Sequence, residues 1–338
     1  MFSPLLRNRL SLFQSYITKK PYVAGGPVTV TVESTAKCNL SCPMCLREKI
    51  YFPPRDMELW LFRKIIDEGK GCLEFAAAYG AGEPLLNPEL THMIAHCRSQ
   101  GIPAGISTNA TVLSESLSHA LITSGLNCII FAFDGATRES YQKYRKGSDF
   151  DKARDNILTF LRVKKRLNSD IFFILQMVRL KDNQQEVPAL IRMWRVEGMN
   201  EIRVKMDEVR DHGCRVSTGP YPPTKYPCNL LWRGPMYIHY DGTVFPCCYI
   251  FPTDAIGNVR RNTLREIWNS ERMVRLRSAH IRGDLSQYEA CRNCPAARPR
   301  LALAWGSFFF NMYTIRKAIP FFERLAQIRK VSIFETMN

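Results

Sequence analysis

With 338 residues the chain has room for one barrel-sized domain plus a smaller module, or for two ordinary domains. Apolar residues at 46% and charged residues at 23% are the proportions of a globular protein, which excludes a disordered or fibrous chain. The formal net charge of +16 suits an acidic partner (nucleic acid, anionic lipid or a phosphorylated substrate) or serves solubility alone, and the Lys and Arg residues form no dense run that would decide between them.

Residues 1–27 read as an amphipathic lead, with Leu5, Leu6, Leu10 and Phe13 on one helical face and Arg7 and Arg9 elsewhere. Those two arginines interrupt any secretory apolar core, so a cytoplasmic location is expected, and in a reducing compartment clustered cysteines read as metal ligands. Such a lead can lie on a membrane surface or dock on its own domain. From residue 28, β-rich runs at 28–33, 73–78, 102–107, 128–133, 171–178 and 201–205 alternate with helical stretches at 58–69, 88–100, 115–124, 151–167 and 186–197. Six strands alternating with helices predict parallel βα units, which close into a barrel or open into a doubly wound sheet. After about residue 207 Gly and Pro become dense and predict a linker. A loop-rich segment with five cysteines follows between Cys228 and Cys294. Residues 301–315 carry no charge but are shorter than the roughly 20 residues that span a bilayer. The basic residues Arg316, Lys317, Arg324, Arg329 and Lys330 come after them, interleaved with aromatic and aliphatic ones.

Cys38, Cys42 and Cys45 lie just past the first predicted strand. Three close thiolates can hold three irons of a [4Fe–4S] cube and leave the fourth open for another ligand. A structural zinc site would need a fourth Cys or His, and none is nearby. The Cys-x₃-Cys-x₂-Cys spacing after a first strand resembles the signature of the radical S-adenosylmethionine (SAM) superfamily. In that family SAM chelates the open iron, and its reductive cleavage gives a 5′-deoxyadenosyl radical that abstracts hydrogen from substrate. The position before the third cysteine, commonly aromatic, is Met44 here.

Later strand ends carry the resemblance further. Gly80-Ala81-Gly82-Glu83-Pro84 is similar to the loop that receives the SAM amino group. Ser107-Thr108-Asn109-Ala110 resembles the Ser/Thr-Asn-Gly strand end near the ribose, with Ala110 in place of Gly. Phe133-Asp134-Gly135 and the downstream Arg145 resemble a Ser-x-Asp-Gly strand end and an Arg that pairs with the SAM carboxylate, although Ala132 stands at the Ser position. The resemblance therefore implies SAM contacts from Gly82, Glu83, Pro84, Ser107, Asn109, Asp134 and Arg145, with a weaker indication for Gln176.

In the second cysteine segment, Asp241-Gly242 marks a hairpin. Cys228, Cys247 or Cys248, an Ile267-Trp268-Asn269 helix and Cys291-x₂-Cys294 resemble a SPASM domain shortened to one auxiliary cluster. Four thiolates there, Cys228, Cys247, Cys291 and Cys294, suffice for one auxiliary [4Fe–4S] cluster; the spacing alone also permits a four-cysteine zinc staple. The resemblance implies an α/β fold: an incomplete (β/α)₆ TIM-like barrel at residues 28–212, a small SPASM-like module at 213–300, and an aromatic and basic tail at 301–338. It implies a radical SAM enzyme served by a flavodoxin- or ferredoxin-type electron donor. The substrate would be a peptide, sugar or lipid, with contact at the inner membrane face open. The rival from another class is a non-catalytic zinc or nucleic-acid-binding protein. No aromatic–basic motif of a known nucleic-acid fold supports it, so nucleic acid is not an expected partner.

Overall fold

Short apolar runs become strands and the amphipathic stretches between them become helices, over the residues that the computed structural model describes: 2–48, 53–206, 226–292, 294, 297, 301–309 and 335–336. In chain order the elements are α1 (Pro4–Ile17), β1 (Thr29–Val32), α2 (Leu59–Glu68), β2 (Phe75–Ala77), α3 (Leu90–Ser99), β3 (Ala104–Thr108), α4 (Glu115–Thr123), β4 (Cys128–Ala132), α5 (Arg138–Tyr144), α6 (Phe150–Arg166), β5 (Phe172–Arg179), α7 (Val187–Trp194) and β6 (Glu201–Met206). There follow α8 (Leu230–Arg233), β7 (Met236–Ile238), β8 (Thr243–Phe245), β9 (Gly257–Asn258), α9 (Leu264–Trp268), α10 (Glu271–Arg282), α11 (Glu289–Arg292), α12 (Leu301–Phe309) and β10 (Glu335–Thr336). All six predicted strands form, within one to two residues of their expected bounds. The Gly- and Pro-dense stretch and Cys214 fall within 207–225, outside the described residues. So do the basic tail residues from Arg316 to Lys330.

The chain divides into two compact units, each built from more than one stretch of sequence. One unit comprises Val32–Phe62, Ala77–Thr218 and Ser332–Asn338. Its strands β3, β4, β5 and β6 run parallel in that order, with Ser107 beside Ile130, Phe131 beside Leu175, and Gln176 beside Arg203. Every residue of β4 is buried, as a strand covered on both faces requires. Phe131 packs on Phe160 and Phe173 at ring distances of 5.4 and 4.8 Å, which locks α6 to the sheet. Helices α4, α5 and α6 start at side-chain caps: Ser114 accepts from the Leu117 amide, Thr137 from Ser140 and Asp149 from Lys152. Helix α5 was not foreseen, because seven residues are too few to show a period. It follows so closely on β4 that a Cβ at Gly135 would lie 2.4 Å from the Ser140 hydroxyl, so only glycine fits there.

The other unit comprises Met1–Thr31, Arg63–Ala76 and Gly219–Val331. Here β7, β8 and β9 form an antiparallel meander, and β7 neighbours the first residues of β1. The β7–β8 turn is the predicted Asp241-Gly242 pair, with Gly242 at φ +90°. Helix α1 docks within this unit. Its Tyr16 hydroxyl donates to the Pro227 carbonyl (2.9 Å), and Phe13 meets Trp305 and Phe309 of α12 at 5.7 and 4.9 Å. The residues it buries are Asn8, Leu12, Ser15 and Tyr16, whereas Leu5 and Leu10 of the expected apolar face stay exposed. No described helix is long and apolar enough to cross a membrane.

The centre of this unit is Arg277, fully buried on α10. Its guanidinium donates to the Leu231 (2.7 Å) and Pro21 (2.9 Å) carbonyls and lies 4.6 Å from the Trp268 ring. Burial pulls its pKa down to about 9. Replacing it removes the donor to the buried Leu231 carbonyl and to the part-buried Pro21 carbonyl, so Arg277→Leu is expected to cost about 2–4 kcal/mol, read as a lower midpoint in thermal denaturation of the anaerobic protein. An unchanged midpoint would mean that packing alone holds this unit.

Candidate functional site

In the parallel-stranded unit, the segments that leave the C-terminal ends of the strands interlock. That is the end where loop side chains of βα folds collect. The cysteine loop after β1 is fastened from several sides. The Ser41 amide donates to the Lys146 carbonyl (3.0 Å), and the Cys45 amide donates to the Cys42 carbonyl (2.8 Å), making a tight turn. Cys42 and Met44 are buried with Leu40, Tyr144 and Leu180, and Cys38, Cys45 and Val178 pack against that cluster. Met44 thus occupies apolar space through its flexible thioether. Cys45 and Cys38 both raise the pKa of Cys42, and Cys45 raises that of Cys38, so the three thiols share one locale. Burial, the largest influence, pushes Cys42 up to about 11 and also raises Cys38.

The Gly82-Glu83-Pro84 loop lies directly on the cysteine loop. A Cβ at Gly82 would come within 2.0 Å of the Thr35 carbonyl oxygen, and the Glu83 amide donates to the Lys37 carbonyl (2.7 Å). Only glycine permits that approach. Glu83 itself is buried, and both of its oxygens face inward. Oε1 accepts from the Thr108 hydroxyl (2.7 Å) and the Leu85 amide (3.1 Å), and Oε2 accepts from the Asn109 amide (2.7 Å). Burial raises its pKa, against three donors that favour the carboxylate. Glu83 therefore braces the loop, with both carboxylate oxygens taken up by the chain's own donors.

At the end of β3, Asn109 donates to the Asn39 side-chain oxygen (3.1 Å) and accepts from Thr111, while Asn39 donates to Thr111 (2.7 Å). Ala110 has φ +62°, the left-handed conformation in which glycine is the less strained residue. Ser107 is half-buried on β3. At the end of β4, Asp134 is fully buried, and Arg145 grips it through Nε (2.6 Å) and Nη2 (2.5 Å). The other oxygen, Oδ1, accepts from the Val178 amide (2.6 Å). Burial works against the Arg145 charge, but the Asp134 carboxylate and the nearby Cys42 outweigh it and raise its pKa. This pair uses two of the five guanidinium N–H donors and sets a fixed positive charge near Cys42.

The structure thus gathers Cys38, Cys42, Cys45, Gly82, Glu83, Pro84, Asn109, Asp134 and Arg145 into one network. Thr108, which lies in the strand-end motif but was not expected among the SAM contacts, also belongs to it, as do Asn39 and Asn183, which were missed in the sequence. Asn183 donates to the carbonyls of Asp134 (2.9 Å) and Val178 (3.0 Å). The one local signal was the Asn directly after Cys38.

In the other unit Cys228, Cys247, Cys291 and Cys294 are all buried, whereas Cys248 is exposed. Cys228 is raised by burial and also by the charges of Cys294 and Cys291. Cys247 is raised by burial and by Cys248 and Cys228, so the four thiols lie within electrostatic reach of each other. None of the described cysteines is in a disulfide. Among the described residues no three ligands converge as they would on a single metal ion, but soft, desolvated thiols with no disulfide partner have the donor chemistry of a thiolate-bound iron–sulfur cluster.

The radical SAM superfamily model matches residues 32–193, and the SPASM iron–sulfur cluster-binding domain matches residues 228–295. The chain belongs to the radical SAM superfamily, in its SPASM-containing subgroup. It is an enzyme whose cofactors are SAM, the [4Fe–4S] cluster that binds it, and auxiliary iron–sulfur. That sets aside the zinc-binding, non-catalytic alternative. A tungsten-containing aldehyde ferredoxin oxidoreductase cofactor-modifying protein of Pyrococcus furiosus is 26% identical over 71% of this chain and 80% of its own length. The AdoMet-dependent heme synthase of Methanosarcina barkeri is 24% identical over 85% and 95%, and the PqqA peptide cyclase of Xanthomonas euvesicatoria 24% over 84% and 83%. Among solved structures, Streptococcus suis SuiB bound to SAM superposes with a TM-score of 0.63 at 14% identity, over 83% of this chain and 73% of that one. The structure of anSMEcpe with AdoMet and a Cp18Cys peptide gives 0.60 at 15%, over 89% and 99%. These neighbours share the fold, a partial TIM barrel followed by a SPASM domain.

Glu83→Gln would turn an amide N–H₂ toward buried N–H or O–H donors. Stability should fall by about 1–3 kcal/mol, and SAM affinity in equilibrium dialysis should weaken at least tenfold. Wild-type affinity in a variant with unchanged melting would remove Glu83 from the support of the site.

Proposed function

We propose that this enzyme holds its SAM-binding [4Fe–4S] cluster on Cys38, Cys42 and Cys45 and one auxiliary [4Fe–4S] cluster on Cys228, Cys247, Cys291 and Cys294. The observation that carries the first assignment is the lacing of the cysteine loop to the Gly82-Glu83-Pro84 and Thr108-Asn109 segments. Cys247 is preferred to Cys248 because it is buried and coupled to Cys228. When bound, the cluster and SAM supply an electron and a 5′-deoxyadenosyl radical that takes a hydrogen atom from an unactivated carbon of the substrate. Gly82 lets its loop lie directly against the cysteine loop, and the backbone so placed would meet the methionine end of SAM. Arg145, held by Asp134, offers its remaining N–H donors to the SAM carboxylate. Ser107 and Asn109 offer hydroxyl and amide groups to the ribose.

Cys228, Cys247, Cys291 and Cys294 would hold an auxiliary cluster that could supply a substrate-binding or electron-accepting centre. A flavodoxin- or ferredoxin-type protein supplies the reducing electron in a cytoplasmic setting. A peptide is the preferred substrate, on the support of PqqA peptide cyclases that match most of both chains. The exposed Leu5, Leu10 and Ile17 of α1 and Trp305 of α12, with Arg7, Lys19 and Lys20 close to α1 in sequence, favour a peripheral contact with an anionic membrane face, for which a lipid substrate is the second reading.

Iron and sulfide analysis of the anaerobically reconstituted protein tests the cluster assignment. Wild type should carry about eight irons per chain, and the Cys38/Cys42/Cys45→Ala variant about four with no SAM cleavage. Equal iron in both proteins would refute it.

A further inference from the structure

In the unit that carries the auxiliary cysteines, a cavity of about 440 Å³ opens beside the first turns of α1, and the SAM-site residues contribute nothing to its walls. Two glycine turns form much of it, one at Gly25-Gly26 and one at Gly69-Lys70-Gly71. The first is clamped by Asn8, a buried amide that accepts from the Gly26 N–H (2.9 Å) and donates to the Gly26 carbonyl (3.0 Å). A Cβ at Gly25 would lie 2.3 Å from the Asn8 oxygen, and Gly71 stands at φ +83°. Both walls therefore present bare backbone, and neither the Gly25 nor the Gly71 amide donates a hydrogen bond within the described chain.

The charge of the lining is one-sided. Glu68, its single carboxylate, is neutralised by Lys64 (2.6 Å) and accepts from the Leu264 amide (2.8 Å). Arg7 spends only its Nε on the Phe2 carbonyl, and the side chains of Lys70 and Arg265 have no hydrogen-bond or ion-pair partner among the described residues. Three uncompensated cations and two glycine turns with spare amides match a phosphate dianion. A carboxylate would neutralise only one of the three. The volume suits a small molecule or a headgroup and is too small for a folded partner.

We infer that this cavity binds a phosphoryl group, borne by a soluble phosphate ester or by a phospholipid headgroup. The holoprotein would be titrated with glycerol 3-phosphate by calorimetry, and floated with phosphatidylcholine vesicles with and without phosphatidic acid. The Lys70→Glu/Arg265→Glu variant would be compared with Lys152→Glu/Arg162→Glu, which makes the same charge change on exposed α6 residues. Saturable binding of one glycerol 3-phosphate per chain, weakened at least tenfold only in the cavity variant, supports the site with a soluble ligand. Binding confined to phosphatidic acid vesicles, with the same variant pattern, supports it with a lipid headgroup. Binding of neither probe, or equal loss in both variants, overturns it.

Discussion

The buried carboxylate of Glu83 is the tie on which the candidate site depends. One residue joins three segments: its amide holds the cysteine loop at Lys37, and its oxygens hold the end of β3 at Thr108 and Asn109. A carboxylate can do this because it is acceptor-only and can take several donors at once. Desolvation is costly for it, and three donors offset that cost. The contact at Gly82 follows from the same tie, since the loop can be drawn so close to the Thr35 carbonyl only without a side chain.

The Asp134–Arg145 pair is the second fixed element. Asp134 is held by the Val178 amide as well as by Arg145, so the guanidinium has little freedom to swing away from Cys42. A buried pair of this kind adds little net stability, but it pre-sets the position of a charge. A positive charge close to the cysteine loop favours thiolate over thiol at Cys42, where burial acts in the opposite direction. Such a charge would also favour the anionic cluster proposed for this loop.

Much of this was legible in the sequence because the features were local. Strand runs and cysteine spacing need only a few consecutive residues, and the glycines at 82 and 135 mark backbone that passes close to other groups. What was not legible depends on distant partners. Asn39, Asn183 and Thr108 are ordinary polar residues until folding brings Asn109, Asp134 and Glu83 to them. Arg145 was expected to face SAM, but its sequence position could not reveal that Asp134 would engage two of its donors. Helix α1 shows the same limit: Leu5, Leu6, Leu10 and Phe13 read as one apolar face, yet of these Phe13 packs on α12 while Leu5 and Leu10 stay exposed, and the helix buries Leu12 and Tyr16, the latter against Trp232 and Phe308. Helical periodicity identifies faces, and only the partner decides which one is covered.

The most direct test is low-temperature EPR of the dithionite-reduced protein carrying only the Cys38/Cys42/Cys45 cluster, after Cys228, Cys247, Cys291 and Cys294 are replaced by Ala. Addition of SAM should shift the g-values of the reduced [4Fe–4S] signal, because SAM would occupy the iron that no cysteine holds. A signal unchanged by saturating SAM would contradict an open iron on these three cysteines.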